Sequence, residues 1–223
     1  MAIQINGSGT ITGISVGGLP DGIVDTDMIA TNAVATAKLA DGAASGTKLT
    51  MPAGSIIQTV NIVNIDPVAL LMTTSYQDVS GFSISITPTA ANSKIILAGS
   101  IVLESHQQYC FGKFVRSING GSYSSPANWL GNSSSSGSRE RSQFGNNFRS
   151  PGSPNGVTPS PMAIYAVDTD HNTTNAITYK LQYRASGGTG YYILFNRGHS
   201  DSNDGNNPRS CSHLTLMEVK VWQ

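Results

Sequence analysis

Three imperfect ten-residue repeats between residues 22 and 50 constrain this chain more than any other segment. Ile29, Leu39 and Leu49 recur at intervals of ten positions, and so do Val24 and Val34. Each repeat offers only one or two large apolar side chains, so a single copy cannot enclose a core. Short-period segments of this kind usually bury their apolar residues against neighbouring repeats or copies. We therefore predict a shaft in a parallel homo-oligomer, with these five residues at the interface between copies.

The local conformation of the repeats has two alternatives. Asp25, Thr26 and Thr36 are suited to cap single helical turns, but extended shaft strands fit the same pattern. Residues 1–21 alternate weakly between apolar and polar positions and are dense in glycine. That pattern indicates short strand and turn pieces that would be unstable alone. We predict that residues 1–21 attach the chain to a larger assembly.

The composition excludes several classes of partner. Formal net charge is zero and only 12% of the 223 residues are charged. Nucleic-acid binders need clustered lysine and arginine for phosphate contacts, and polybasic membrane-surface proteins need a similar excess. No stretch approaches the roughly 20 apolar residues of a membrane-spanning helix, and the N-terminus lacks the features of a secretory signal. We predict neither nucleic-acid binding nor membrane insertion. A neutral polar surface suits carbohydrate-like partners, although a turn-rich all-β protein has the same composition.

The pattern changes to β-strands after the break at residues 51–54. Phe82, Ile84 and Ile86 alternate with polar residues, and the strand ends before Pro88, as in a half-buried antiparallel strand. Further strands are predicted at 55–63, 95–103, 109–118, 162–167, 177–185, 191–196 and 211–222. About eight strands without a helical period predict an all-β fold, with an antiparallel β-sandwich or jelly-roll head over residues 53–223. The preceding shaft is assigned to residues 22–52.

The strand at residues 95–103 is apolar on both faces. Ile95, Leu97, Ile101 and Leu103 share one face, and Ile96, Ala98 and Val102 share the other. A strand of this composition is typically buried on both faces. Because only one face of a sandwich strand meets the core, we predict that the second face contacts another subunit.

A long segment at residues 119–161 interrupts the strands and is rich in Ser, Gly, Asn and Pro. Loops of this length are commonly functional or disordered. Aromatic rings and arginines interleaved with amides and hydroxyls suit recognition of a glycan or protein. The residues predicted to bind a receptor are Tyr123, Trp129, Arg139, Arg141, Phe144, Phe148 and Arg149. In the alternative interpretation, the aromatic residues pack the loop back onto the sandwich.

No arrangement in the sequence indicates catalysis, a metal or a cofactor. His171 lies near Asp168 and Asp170, and His199 lies near Asp201, but such residues more often bond their own backbone in solvated turns. A glycosidase would need two carboxylates at a defined separation. Glu104 and Glu218 are the main acids on predicted strands, and we assign both to polar or edge faces.

Two cysteines in 223 residues, Cys110 and Cys211, do not make a disulfide scaffold. Without a secretory signal, free thiols are the expected state. A single bridge between neighbouring strands is the alternative.

Several segments resemble tail fibre proteins of bacteriophages, especially phages of cyanobacteria and other marine bacteria. The repeat NAVATAKLAD (residues 32–41) looks like the decapeptides of those proteins, and the opening GSGTITGISVGGLPDG is similar to theirs. MPAGSIIQ, TSYQDVSG with the following SISITP and SKI, and the ending LTLMEV are also similar. The resemblance covers both ends and much of the sandwich, but not residues 119–161.

The resemblance implies a trimeric virion protein of the phage tail, assembled in the host cytoplasm. By the same resemblance, an N-terminal segment docks to other tail or baseplate proteins and a globular tip contacts a host surface glycan or protein. The chain is short for a tail fibre and has only about three repeats, which favours a spacer over a long fibre. A head decoration or tail adaptor without a host ligand is the alternative.

Overall fold

The computed structural model describes residues 4–5, 11–12, 51–105, 110–126, 143–146, 159–185, 192–203, 205, 207 and 209–221. The chain divides into two compact units, Met1–Thr50 and Met51–Gln223. In the first unit, β1 (Gln4–Ile5) pairs antiparallel with β2 (Ile11–Thr12). This pairing agrees with the strand and turn pieces predicted near the N-terminus. The five predicted trimer-interface residues of the shaft lie outside the described residues.

The second unit is built from antiparallel strands, and no helix occurs among its described residues. The strands are β3 (Ile56–Asn64), β4 (Val68–Leu71), β5 (Gln77–Ile86), β6 (Lys94–Ser105), β7 (Cys110–Ile118), β8 (Phe144–Asn146), β9 (Ser160–Asp168), β10 (Ile177–Ala185), β11 (Tyr192–Phe195) and β12 (Ser212–Val219). Every pairing among them is antiparallel. The predicted all-β antiparallel class is confirmed.

The strand order is that of a jelly roll. β12 pairs with β3 and β6, while β11 pairs with β4 and β6, so β3–β4 and β11–β12 are two long strands that are each interrupted once. If each interrupted strand is counted once, the described part of the head has eight strands, which we number 1 to 8 in chain order. The first sheet then has the spatial order 1-8-3-6, which corresponds to β3/β4, β11/β12, β6 and β9. The second sheet has order 2-7-4-5 (β5, β10, β7, β8). Two interleaved four-stranded antiparallel sheets define the double-sheet jelly roll.

Alternating apolar residues of the two sheets form a shared core. Phe82, Ile84 and Ile86 of β5 are buried, while Ser83 and Ser85 between them are exposed, as the sequence predicts. The inward residues of β10, including Tyr179 and Tyr183, are fully buried in the same cluster. Burial of large apolar side chains is the main favourable term in the folding of such a sandwich.

The two faces of β6 differ in burial. Ile95, Leu97 and Leu103 belong to the core. On the opposite face, Ile96 and Ala98 are only half-buried within one chain. The fold therefore leaves part of the apolar second face of β6 accessible, and burial of that face by another subunit stays a prediction.

A buried asparagine joins the two interrupted strands. Asn196 has a φ of 60°, in the left-handed region that asparagine tolerates better than most residues, and it turns the chain out of the sheet after β11. Its side-chain amide donates to the carbonyl oxygens of Asn64 and Asp66, both at 2.9 Å. The Ser212 hydroxyl donates to Asn196 Oδ1 at 2.6 Å and accepts from the backbone N–H of Val102 at 2.9 Å. These bonds satisfy backbone groups that the strand breaks would otherwise leave unpaired.

Gly99 of β6 fills a position with no room for a side chain. A Cβ atom there would overlap the carbonyl oxygen of His213 and lie 3.0 Å from the Leu214 Cα. Because these are backbone atoms of the paired strand β12, they can move only by distorting the sheet. Gly99→Ala is expected to lower the free energy of unfolding by about 3 kcal/mol, the upper end of overpacking effects. Urea unfolding measures the change. Gly205→Ala is the control, since nothing lies within 4 Å of its Cβ position, and equal stability of the two variants would contradict the expectation.

Candidate functional site

The outward face of the second sheet carries interleaved cations and aromatic rings. Along β10, the buried residues alternate with half-buried Thr178, Lys180, Gln182 and Arg184. Successive strand residues point to opposite faces, so these four side chains project away from the core. Phe111 and Lys113 project from the neighbouring strand β7 in the same direction.

The cations of this face lie close to its rings. Lys113 Nζ is 3.9 Å from the centroid of the Tyr76 ring. The Arg184 guanidinium carbon is 5.4 Å from the Tyr76 centroid and 5.0 Å from that of Phe111. These distances are within the range of cation–π attraction. We call the set Tyr76, Phe111, Lys113, Tyr123, Lys180 and Arg184 the cation–aromatic face.

Lys180 contacts a second aromatic ring and a carboxylate on the cation–aromatic face. Its Nζ is 4.0 Å from the centroid of the Tyr123 ring and 2.8 Å from Asp78 Oδ2. Gln182 Nε2 donates to Asp78 Oδ1 at 2.8 Å. Partial burial opposes ionisation of Asp78, but the hydrogen bonds from Lys180 and Gln182 outweigh it and lower the pKa of Asp78. The bond to Asp78 in turn raises the pKa of Lys180.

A tight hairpin positions Tyr123 beside Lys180. Asn119 and Gly120 have φ values of 51° and 73°, and the N–H of Gly121 donates to the Ile118 carbonyl at 3.0 Å. Two positive φ values in a two-residue loop favour a type I′ turn, for which Asn-Gly is the preferred sequence. Ser124 then pairs with Arg116 of β7. The segment predicted to be an irregular loop therefore begins as an ordered hairpin.

The structure locates two of the seven predicted receptor-binding residues. Tyr123 lies on the cation–aromatic face with 40% of its surface exposed. Phe144 begins β8, and its backbone pairs with Gly112 of β7. The remaining five, Trp129, Arg139, Arg141, Phe148 and Arg149, lie outside the described residues. The prediction of one uninterrupted irregular segment at 119–161 is wrong, because β8 lies within it and β9 begins at Ser160.

Five residues of the cation–aromatic face were not identified from the sequence. Tyr76, Phe111, Lys113, Lys180 and Arg184 come from three segments far apart in the chain. The polar alternation of β10 was a usable signal, since it places Lys180 and Arg184 on one outward face, about 13 Å apart along the strand. Their contact with Tyr76 depends on strand order, which the alternation alone does not specify.

This face has the chemistry of a recognition surface. Aromatic rings offer flat apolar area, while lysine, arginine and amide groups donate hydrogen bonds to hydroxyl or acidic oxygens. Phe111 lies on the sheet, and Lys113 and Lys180 contact the rings of Tyr76 and Tyr123. Rings that are already held in place lose little conformational entropy on binding, which favours affinity. A glycan or a polar protein surface would fit such an arrangement.

The acids near His171 serve as ion-pair and hydrogen-bond partners within the fold. The Arg116 guanidinium contacts the carboxylate of Asp168 and lies 2.9 Å from Asp170 Oδ1. The Tyr179 hydroxyl donates to Asp168 Oδ2 at 2.8 Å. Burial and the adjacent Asp168 carboxylate raise the pKa of Tyr179 far above its ordinary range. This cluster joins β9 of the first sheet to β7 and β10 of the second sheet.

The carboxylate near His199 is likewise engaged by arginine. Asp201 accepts from Arg209 Nε at 2.9 Å and Nη2 at 3.0 Å, and lies 3.4 Å from Arg197 Nη1. Among the described residues, no group of three or more potential ligands is arranged to hold a metal ion.

Glu104 and Glu218 occupy buried positions instead of the polar or edge faces assigned from the sequence. Each side chain is fully buried. Glu218 pairs with Ile95 near one end of β6, nine residues before Glu104. Since a strand rises about 3.3 Å per residue, the two positions are about 30 Å apart. Glycosidase carboxylates lie within about 10 Å of each other, so these two do not form such a pair.

Both cysteines are free thiols in the structure, with Cys110 buried and Cys211 exposed. Burial raises the pKa of Cys110 despite its hydrogen bond with Ser105. None of the described residues forms a helix with the length and hydropathy of a membrane span.

The chain is similar to solved structures but matches no family model and no curated protein. Two similar solved structures are those of infectious bursal disease virus Gx strain and of an infectious bursal disease virus VP2 subviral particle. They are 11% and 12% identical to the chain, cover 74% of it, and have TM-scores of 0.32. The chain spans 37% and 38% of the length of those chains. The jelly-roll assignment rests on the strand order.

Proposed function

We propose that this chain is a non-catalytic structural protein of a virus particle, a tail fibre or receptor-binding protein of a bacteriophage. It assembles as a homotrimer, docks to other virion proteins through residues 1–21, and uses residues 22–50 as a spacer. The jelly-roll head then adheres to a glycan or protein on the host surface. Its proposed location is the virion tail.

The observation that carries the proposal is the jelly-roll strand order of the unit that follows the decapeptide repeats. Jelly rolls are a common architecture of viral structural and lectin domains. Because one fold hosts many functions, the adhesive role rests on the cation–aromatic face. Three copies of a weak site raise the overall affinity for a dense surface ligand through avidity.

Competition for adsorption tests the proposal. Purified full chain, added to host cells before the phage that encodes it, is expected to reduce adsorption in a concentration-dependent manner. Tyr123→Ala removes a ring of the cation–aromatic face and should weaken the competition about tenfold, as expected for a contact of 1–2 kcal/mol. The control is Ile65→Ala, which truncates an exposed side chain between β3 and β4.

The alternative role, a head decoration or tail adaptor without a host ligand, predicts a different result. Wild-type chain would then leave adsorption unchanged at every concentration and would not bind host cells. If wild type and Tyr123→Ala compete equally well, the chain is still an adhesin, but Tyr123 does not contribute to adhesion. Release of sugar reducing ends from host polysaccharide would contradict the non-catalytic part of the proposal.

A further inference from the structure

Two adjoining rows of paired residues cross the outward face of the first sheet. These rows are largely apolar and carry no formal charge. Ile96 of β6 pairs with Met217 of β12 and Val167 of β9. In the adjoining row, Ala98 pairs with Thr215 and Tyr165. Thr59 and Asn61 of β3 complete the two rows. We call Ile96, Ala98, Tyr165, Val167 and Met217 the apolar face.

The core does not cover this face. Strand alternation points these five side chains away from the inward residues Leu97 and Leu216, which belong to the core cluster. Tyr165 has 66% of its surface exposed, Ile96, Ala98 and Met217 are half-buried, and Val167 is buried beside them. Contiguous exposed apolar residues on one face of a sheet commonly mark an interaction site.

We propose that the apolar face is the contact between copies of this chain, so that neighbouring heads pack through their first sheets. The proposal rests on the homotrimer of the proposed function and specifies which surface forms it. Two observations favour a second copy as the occupant.

The first observation is charge. The eight positions of the two rows carry no formal charge, so two copies of this face meet without like-charge repulsion. A charged partner would gain no ion pair from it. Lys113 and Lys180 stack on rings over the opposite sheet, and Arg197 and Arg209 pair with Asp201 beyond the end of β11, so these charges lie outside the two rows. Interface centres are similarly depleted of charge and enriched in aromatic residues and methionine.

The second observation is the point at which the chain enters the head. Met51 follows the last repeat directly, and β3 of the first sheet begins five residues later at Ile56. The N–H of Gly54 donates to the Lys220 carbonyl at 2.8 Å, and the N–H of Lys220 donates to the Ser55 carbonyl at 2.9 Å, which ties the entering chain to the end of β12. Five residues span at most about 17 Å. Copies held together through the repeats would therefore bring the starts of their first sheets close to one another.

The test combines solution mass with the reactivity of single tyrosines in the full chain. Light scattering is expected to give three times the 23.3 kDa chain mass. Tetranitromethane treatment followed by mass spectrometry should show Tyr165 nitrated at least tenfold more slowly than Tyr192, although a single chain exposes 66% of Tyr165 and 46% of Tyr192. Tyr165→Asp should weaken the association at least about 30-fold, the effect of losing one interface hot spot.

Tyr192→Asp is the matched control, since it places the same charge on another exposed tyrosine of the first sheet. Far-UV circular dichroism verifies that both variants fold. Met217→Lys supplies a second change in the apolar face and should also weaken association.

The outcomes separate this inference from the proposed function. The protein could be a trimer in which Tyr165 reacts as fast as Tyr192 and which Tyr165→Asp leaves intact. That result would contradict the apolar face as the interface but would still agree with a trimeric fibre. A monomer would overturn both the interface and the trimer, whether or not Tyr165 is protected. Adhesion itself is decided separately by competition for adsorption.

Discussion

Replacing Arg116 with methionine is expected to lower the free energy of unfolding by about 3–5 kcal/mol, the usual effect of removing one partner from a buried ion pair. Arg116 has 11% of its side chain exposed and Asp168 only 1%. Methionine preserves the apolar stem but leaves the Asp168 carboxylate charged, buried and supported by fewer donors. Urea unfolding at pH 7, followed by near-UV circular dichroism at fixed protein concentration, measures the change.

A double variant distinguishes the buried charge from a general packing defect. Arg116→Met combined with Asp168→Asn removes both charges, while the asparagine oxygen still accepts from the Tyr179 hydroxyl. We expect the double variant to recover about half of the lost stability, because no uncompensated charge remains at position 168. Arg209→Met breaks an exposed pair with Asp201 and should leave stability unchanged. An additive loss in the double variant would contradict the account.

The second large effect concerns Glu104 and the pH dependence of stability. Glu104 lies on the outward side of β6, because the preceding residue, Leu103, belongs to the core cluster and successive strand residues point to opposite faces. Burial raises the pKa of Glu104 from its ordinary 4.5 to about 7, since the hydrogen bond from the His199 backbone and the charge of Arg197 offset burial only in part.

The direction of the pH effect follows from proton binding. Between pH 4.5 and 7 the unfolded chain has released this proton while the folded chain retains it, so stability falls as pH rises. The full contribution of the shift is roughly 3 kcal/mol. Glu104→Gln keeps the shape and stays neutral at every pH. It is therefore expected to match wild type at pH 4 and to be more stable by up to about 3 kcal/mol at pH 8.

Glu218→Gln is the control with the opposite sign. Burial raises the pKa of Glu218, but hydrogen bonds from Gln58, Ser93, Thr89 and Ala90 outweigh this effect and lower it. Its carboxylate therefore stabilises the fold above pH 4.5, and this contribution is lost as the pH falls below that value. We expect Glu218→Gln to destabilise the protein at pH 8. Unfolding free energies of both variants from pH 4 to pH 8 test the pair, and a Glu104→Gln variant less stable than wild type at pH 8 would contradict the assignment.

Local periodicity was sufficient to predict most of the sandwich. The alternation at Phe82–Ile86 and the span 177–185 correspond to β5 and β10. In a strand with one buried face, every second residue is apolar, so the sequence itself shows the pattern. β4 and β8 were missed. They have four and three residues, too few to establish a period, and β8 lies in a segment poor in aliphatic residues.

Long-range pairing limited the prediction of the site. The Asn119-Gly120 turn that places Tyr123 is visible in the sequence as a preferred hairpin dipeptide, yet its neighbour Lys180 lies 57 positions further along the chain. The burial of Glu104 had no local signal either, since the groups that face it, His199 and Arg197, lie more than 90 positions further along the chain. Both features follow from strand order, which one-dimensional patterns of polarity do not encode.

Electron microscopy of labelled particles tests the central claim most directly. Antibody fragments raised against the head, residues 51–223, would be applied to particles of the virus that encodes this chain. The account predicts label at the distal ends of tail appendages, in clusters consistent with three heads. Label confined to the capsid, or particles that lack the protein altogether, would contradict its assignment as an adhesive tail protein.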